Sequence, residues 1–270
     1  MSEASTPRLS ATILLLRDEP DLQVLMVKRH YEIDFASGAL VFPGGKANEE
    51  DGDPAWADHT DGDFSSAEQA ARISAIREAY EEAGIILARA AGTRGAGASL
   101  VGQDVVEALE PMRGAVDRRE KSFLELIKEN NLVLALDRLV HFGHWITPTM
   151  MPKRFDTHFY LAATPSGQIA VQDGRETTEA VWLGPQQALD MEEAGSATII
   201  FPTRMNLGKL AETETVDAAL KRFSSEKVVT VLPVIGKDDA GDPCLHIPEE
   251  AGYLQSTEPL QRVANVSKSK

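Results

Sequence analysis

The stretch SSAEQAARISAIREAYEEAGI, residues 65–85, decides the fold of this chain together with the short run VFPGGK, residues 41–46. Ser65 and Glu68 have the spacing of a capping box, which marks the start of a helix. Gly84 is suited to the left-handed position that ends a helix. The stretch therefore predicts a helix that carries its own start and stop signals.

The predicted helix has two faces. At 3.6 residues per turn, Glu78, Glu81 and Glu82 lie on the same face. The opposite face is apolar and consists of Ile73, Ile76, Tyr80 and Ala83. One face can pack against a core while the other can hold a metal ion.

The three glutamates have two interpretations. They can form a solvated face, because like charges at this spacing cost a helical peptide only about 0.2–0.5 kcal/mol. If the face is partly removed from water, the repulsion grows and a hard divalent cation with carboxylate ligands relieves it. The sequence around the helix has to decide between the two.

That surrounding sequence resembles a known family. Residues 77–85, REAYEEAGI, are similar to the second half of the Nudix box, Arg-Glu-U-x-Glu-Glu-x-Gly-U with U apolar, and every specified position matches. Gly44 and Gly45 resemble the glycines that open the box, but an insertion of about 18 residues separates them from Arg77. Counting back from Arg77 by the family's seven-residue spacing reaches Gln69, where the family has a glutamate that supports the arginine. The departure concerns this supporting ion pair rather than the metal site.

Further segments resemble one subgroup, the coenzyme A diphosphatases with a split box, of the mammalian peroxisomal type and their bacterial relatives. The similar segments are VFPGG, GHWITP, RFDTHFYLA and EAVWL, and the likeness covers most of residues 9–235. The resemblance implies an α/β fold, the Nudix α/β/α sandwich with a central mixed β-sheet and insertions. We expect one Nudix domain over residues 1–253, insertions at about 46–64 and 95–130, and a polar tail over 254–270.

The resemblance also implies a site. Mg²⁺ or Mn²⁺ is expected on Glu78, Glu81, Glu82 and a backbone carbonyl of Gly44 or Gly45, with Arg77 orienting the carboxylates. A further catalytic glutamate is expected in the loop DGRETTEAVWL, with Glu176 as the first candidate and Glu179 as the second. Each of the two can equally be an ordinary loop residue.

Four basic residues are the candidates for substrate binding. They are Lys28, Arg29, Lys46 and Arg154. Lys28, Arg29 and His30 leave a predicted strand just before the glycine loop, so they can face the substrate phosphates or form a solvated strand end.

Composition limits the partners. The 270 residues include 27 Lys and Arg against 42 Asp and Glu, a net charge of −15, which argues against a nucleic-acid or anionic-membrane surface. No segment has the pattern of a membrane span or secretion signal, and the final Lys-Ser-Lys is not a peroxisomal address, so we expect a cytoplasmic protein. The single cysteine, Cys244, is expected to be a packing residue. The partner is then a small-molecule nucleotide, and a homodimer is one alternative for the oligomeric state.

The remaining segments give coarser predictions. Runs at 9–17 and 22–29 predict a hairpin, and runs at 139–147, 155–163 and 228–235 predict strands. Residues 46–64 predict a surface loop anchored by Trp56, residues 88–99 a flexible connector, and residues 103–130 helices that break at Pro111 and Gly114. Helices are expected over 184–191 and 202–223 and a loose tail after Tyr253. The helical insertion at 103–130 can cover the substrate or simply pack. His141, His144 and His158 have irregular spacing, which does not favour a zinc site.

Three functions remain open at this point. The first is a hydrolase that cleaves coenzyme A or acyl-CoA to 3′,5′-ADP and a phosphopantetheine. The second is a Nudix hydrolase of another nucleoside diphosphate derivative, such as ADP-ribose, a dinucleotide or NADH. The third is a nucleotide-binding module with little catalysis, which only the departure at Gln69 suggests.

Overall fold

The computed structural model describes residues 5–30, 38–95 and 97–266. The strands are β1 Arg8–Asp18, β2 Leu22–Arg29, β3 Leu40–Val41, β4 Gly44–Lys46, β5 Ala88–Ala90, β6 Leu132–Leu134, β7 Val140–Ile146, β8 Phe155–Ala163, β9 Thr177–Leu183, β10 Thr230–Val231, β11 Val234–Lys237, β12 Pro243–His246 and β13 Thr257–Pro259. The helices are α1 Ser66–Ala83, α2 Gln103–Asp117, α3 Phe123–Glu129, α4 Pro185–Glu193, α5 Phe201–Leu210, α6 Val216–Ser225 and α7 Leu260–Val266. The final Lys-Ser-Lys lies outside the described residues.

A mixed sheet forms the centre of the fold. Its strand order is β10-β7-β8-β1-β2-β3, with β4 paired to β1 and β9 paired to β2. The strand β1 pairs antiparallel with β2 and parallel with β8, so the predicted hairpin and mixed sheet are confirmed. Within the described ranges, no helix is long and apolar enough to cross a membrane.

Helices cover both faces of this sheet. On one face, α1 packs with α2 and α3 against alternate residues of β1, such as Ala11, Ile13 and Leu15. On the other face, α4, α5 and α6 pack against the intervening residues, such as Leu14 and Leu16. The alternation follows from the two-residue period of a strand, and it confirms the predicted α/β/α layers.

The helix α1 has the predicted ends but not the predicted exposure. Ser65 and Glu68 form the capping box, and Gly84 ends the helix with a left-handed φ of 67°. Every residue from 70 to 83 is buried, so beyond its first turn the helix has no solvated face. The sequence did not predict this because the glutamate face is covered by the glycine corner and by the inserted turn that carries Asp51, which meet it only in the folded chain.

The inserted segments are more ordered than predicted. Residues 46–64 contain two 3₁₀ turns, Glu49–Gly52 and Pro54–Asp58, and Trp56 is fully buried as the predicted anchor. Part of the expected flexible connector forms β5, which pairs with β6.

The predicted helix break in the insertion is wrong. The helix α2 runs through Pro111 and Gly114 to Asp117, and the chain turns only afterwards. Proline removes one backbone hydrogen bond, which frees the carbonyl of Glu107. Glu107 and Pro111 are both exposed, so water can take that place.

Towards the C-terminus, single predicted elements are divided. The helix expected over 202–223 is two helices, α5 and α6, and the strand expected over 228–235 contributes to both β10 and β11. The segment after Tyr253 is not loose, because it forms β13 and α7. Glu258 of β13 is buried and lies 2.5 Å from the Arg204 guanidinium, so this ion pair fastens the segment to α5.

The buried ion pair gives a test of this docking. Removing one partner of a buried ion pair leaves the other charge buried without compensation. Glu258→Ala should therefore lower the free energy of unfolding by about 3 kcal/mol. Glu250 is exposed, so Glu250→Ala should change it by less than about 0.5 kcal/mol. Urea unfolding followed by circular dichroism measures both, and equal stability of the two variants would contradict the docking.

Candidate active site

The glycine corner at the start of β4 meets the glutamates of α1. The Gly44 N–H donates a 3.0 Å hydrogen bond to Glu82 Oε2. A Cβ at Gly45 would lie 2.6 Å from both carboxylate oxygens of Glu78, closer than atoms can pack. Glycine is therefore required where the strand passes the carboxylate.

The three glutamates are buried. Glu78, Glu81 and Glu82 are 8, 7 and 6% exposed. Burial is the main cause that raises the pKa of all three, and it raises the pKa of Glu81 to about 8. The solvated face is thus excluded, and the carboxylates need positive charge beside them to be ionised together.

Arg77 supplies part of that charge. Its Nη1 atom donates 2.8 Å hydrogen bonds to Glu78 Oε1 and to Glu81 Oε2, and its guanidinium is almost fully buried. Asp51 is also in contact with it, so one guanidinium contacts three carboxylates, while Glu82 accepts its hydrogen bond from the Gly44 N–H. Clustered carboxylates and backbone oxygens are the donor set of hard divalent cations, so these residues fit such an ion.

The residue that supports Arg77 is Asp51, not Gln69. Asp51 is 1% exposed, and its carboxylate accepts hydrogen bonds from Arg77 Nε at 3.0 Å and Nη2 at 2.9 Å. Gln69 lies in the first turn of α1, two turns before the arginine. The count back from Arg77 reached Gln69 because it made no allowance for the insertion; Asp51 instead follows Gly45 with five residues between them.

The strand register separates the two candidate carbonyls. Ala11 and Gly45 form a hydrogen-bonded pair between β1 and β4, and Ser10 Oγ also donates to the Gly45 carbonyl. Gly44 is offset by one residue, so its N–H and carbonyl point away from β1, and the N–H faces Glu82. This geometry favours Gly44 over Gly45 as the carbonyl ligand.

Of the two candidates for a further glutamate, Glu176 lies nearer to the cluster. Its charge contributes to the raised pKa of Glu78 and of Glu82. The Asp173 carboxylate accepts 2.8 Å hydrogen bonds from the backbone N–H groups of Glu176 and Thr177, which fixes this turn. Glu179 instead pairs with Lys28 at 3.5 Å and is exposed.

Among the basic candidates, Arg29 is closest to the glutamates. Its charge lowers the pKa of Glu82, against the larger effect of burial, and its buried Nε atom has no hydrogen-bond partner in the described part of the chain. Lys28 precedes it in β2 and therefore lies on the opposite face of the sheet, where it pairs with Glu179.

The other two basic candidates have different surroundings. The Lys46 carbonyl accepts a 2.8 Å hydrogen bond from Arg77, while its ammonium lies over the Phe155 ring at 5.9 Å. Arg154 is buried, and its guanidinium donates to the carbonyls of Thr147 at 3.0 Å and Ser5 at 2.9 Å. Arg154 therefore fastens backbone segments, and its role in substrate binding stays a prediction.

The histidines form a separate cluster on β7 and β8. His144 and His158 are directly paired across the strands, their rings stack at 4.2 Å, and Asp156 bonds to His144. His141 lies 3.1 Å from His158, and burial lowers the pKa of both to about 4. His144, Asp156 and His158 each offer one possible metal-ligand atom, and these three atoms lie within 4.8 Å of one another. The sequence spacing did not predict this group because a bulge in β7 and the cross-strand register create it.

Comparison with known proteins gives the family of this chain. Residues 57–210, more than half of the chain, match the NUDT19 Nudix domain. The chain belongs to the Nudix hydrolase family. The matched residues include α1 and the second half of the Nudix box.

Relatives of this Nudix hydrolase extend the match. It is 26% identical over 262 residues to an acyl-coenzyme A diphosphatase NUDT19 of Xenopus laevis, covering 82% of this chain and 69% of that protein. It is 25% identical over 225 residues to a putative Nudix hydrolase 7 of Caenorhabditis elegans, covering 83% and 68%. A crystal structure of a Nudix hydrolase from Alicyclobacillus acidocaldarius matches with a TM-score of 0.65 and 24% identity, over 83% of this chain and 99% of that one. The last match shows the fold, and Nudix hydrolases generally use divalent metal ions.

The position of Asp51 can be tested directly. Groups that orient metal ligands typically change metal affinity by about 10–100-fold when mutated, so Asp51→Asn should weaken Mn²⁺ binding by that factor. Gln69→Ala is the matched control and should leave the affinity unchanged. Isothermal titration with Mn²⁺ measures both, and a stronger effect of Gln69→Ala would return the supporting role to that residue.

Proposed function

We propose that this Nudix hydrolase cleaves the diphosphate bond of coenzyme A or acyl-CoA, releasing 3′,5′-ADP and (acyl-)phosphopantetheine, with Mg²⁺ or Mn²⁺ as cofactor. The buried glutamate cluster against the glycine corner carries the catalytic part of this proposal. The substrate part is supported by the acyl-coenzyme A diphosphatases of Xenopus laevis and Gallus gallus, each 26% identical to this chain.

Glu78, Glu81, Glu82 and the Gly44 carbonyl are the proposed metal ligands. When bound there, a divalent cation supplies polarisation of the diphosphate and activates a water molecule for attack on phosphorus. Arg77 holds Glu78 and Glu81 in place through its two 2.8 Å hydrogen bonds, while Asp51 holds Arg77. The carboxylates are thereby oriented before the substrate arrives.

Glu176 is the proposed proton acceptor. It lies at the edge of the cluster on a turn fixed by Asp173, and it keeps partial exposure to solvent, so it can take a proton from water and release it. Arg29, whose Nε atom lacks a partner among the described residues, is the proposed contact for a substrate phosphate.

The metal role of the glutamates predicts a large loss of turnover on neutralisation. Glu81→Gln and Glu82→Gln should each lower kcat/KM by at least ~100-fold, a loss of about 2.7 kcal/mol in transition-state stabilisation. Glu179→Gln removes the same charge from the exposed pair with Lys28 and should have little effect. Steady-state kinetics with Mg²⁺ measure all three, and full activity of both cluster variants would reject the metal role.

The substrate is tested by a panel with Mg²⁺ or Mn²⁺ and chromatographic separation of products. We expect CoA and acyl-CoA to yield 3′,5′-ADP, with slower turnover of ADP-ribose, NADH and dinucleotide polyphosphates. Turnover of one of those compounds without turnover of CoA would reject CoA as the substrate, while the hydrolase activity would stand. A chain that binds the panel and hydrolyses none of it would be a binding module.

A further inference from the structure

A cavity of about 680 Å³ opens beside the glutamate cluster. Arg77 forms part of its wall, and the same guanidinium touches Glu78 and Glu81. The other walls come from the start of β1, from the segment after β4 and from the corner between α2 and α3. The volume is in the range of small-molecule sites, and Arg77 is the residue that the cavity and the glutamate cluster share.

The wall of the cavity is basic. Besides Arg77 it carries Arg8, Lys46, Arg119 and Lys121, against the acidic Glu49 and Glu50. The Glu50 carboxylate already accepts hydrogen bonds from Ser122 Oγ and the Phe123 N–H. A chain with a net charge of −15 thus concentrates positive charge at one cavity.

Three of these cations, Arg8, Lys46 and Arg119, have no carboxylate partner among the described residues. Lys121 pairs with Glu129, and Lys46 lies over the Phe155 ring. Within residues 5–30, 38–95 and 97–266, neither the Arg8 nor the Arg119 guanidinium has a carboxylate partner. Unpaired guanidinium groups that line a cavity are suited to bind an anion.

The backbone of Arg119 gives an independent indication. It has a φ of 58°, the left-handed conformation that follows the end of a helix. Glycine and asparagine adopt it readily, and the only other non-glycine residue with positive φ in the described ranges is Asn131. An arginine here costs conformational free energy, and such strain is commonly retained at functional positions.

We propose that this cavity binds a phosphomonoester on the nucleoside part of the substrate, with Arg119 as its main contact. The inference rests on the proposed function, because the 3′-phosphate of coenzyme A is such a group on the same ribose as the diphosphate. A phosphomonoester carries about −1.5 to −2 charges at pH 7, and guanidinium groups bind it in a bidentate manner. Arg119 thereby selects coenzyme A over diphosphates that lack this phosphate.

Kinetics with paired substrates test the selection. The selectivity is the kcat/KM for CoA divided by that for dephospho-CoA, which lacks only the 3′-phosphate. Arg119→Gly removes the side chain and suits the left-handed backbone, so the corner keeps its fold. It should lower the selectivity by ~10-fold or more, as expected for a lost charged hydrogen bond.

Arg118→Ala is the matched control, because Arg118 pairs with Glu120 in the same corner and does not line the cavity. It should leave the selectivity unchanged. If Arg119→Gly leaves the selectivity unchanged, whether or not kcat/KM falls equally for both substrates, the phosphate site is rejected. The proposed hydrolase activity is not affected by that result.

Failure of the proposed function is detected separately. If the wild-type chain hydrolyses neither substrate, calorimetry compares the binding of 3′,5′-ADP and 5′-AMP. If 3′,5′-ADP binds more tightly than 5′-AMP and Arg119→Gly abolishes the difference, the proposed phosphate site is supported. Equal affinities for the two nucleotides would reject it.

Discussion

The site depends on one buried guanidinium among carboxylates. Arg77 connects three segments: it bonds to Asp51 in the inserted turn, to the Lys46 carbonyl after the glycine corner and to the glutamates of α1. Breaking a buried charge pair typically costs 3–5 kcal/mol because it leaves the other charge uncompensated. The same contacts that fix the fold around α1 therefore also fix the geometry of the carboxylates.

The insertions belong to this arrangement. Trp56 is fully buried against Phe123, and its Nε1 atom donates to the Glu50 carbonyl at 2.8 Å, which holds the turn that carries Asp51. The ring centroids of Tyr80 in α1 and Phe123 lie 5.9 Å apart, and the Tyr80 hydroxyl donates a 2.8 Å hydrogen bond to the Leu109 carbonyl. The inserted segment that splits the Nudix box thus packs against the helices that follow α1. This packing positions Asp51, which supports Arg77.

The sequence predicted local structure well and long-range contacts poorly. The ends of α1 and the hairpin of β1 and β2 follow from short patterns such as the capping box around Ser65. Asp51 was missed because an insertion makes sequence distance from Arg77 misleading. The contact between Arg154 and the Ser5 carbonyl was not predicted, because nothing in the sequence around Arg154 indicates it. The docking of β13 depends on Glu258 meeting Arg204, a contact without a local signal.

The glutamate cluster makes the metal-free fold sensitive to pH. Burial raises the pKa of Glu81 to about 8, above that of an exposed glutamate, so the folded chain holds this proton more tightly than the unfolded chain. Such a group favours folding at low pH, and its contribution is lost as pH rises from the unfolded pKa through the folded one. At neutral pH the fold therefore either retains the proton or bears the cost of a buried negative charge. A divalent cation removes this cost, and any ligand that binds only the folded state stabilises it. The buried carboxylates that destabilise the folded chain at neutral pH would thus be the groups through which a bound cation stabilises it.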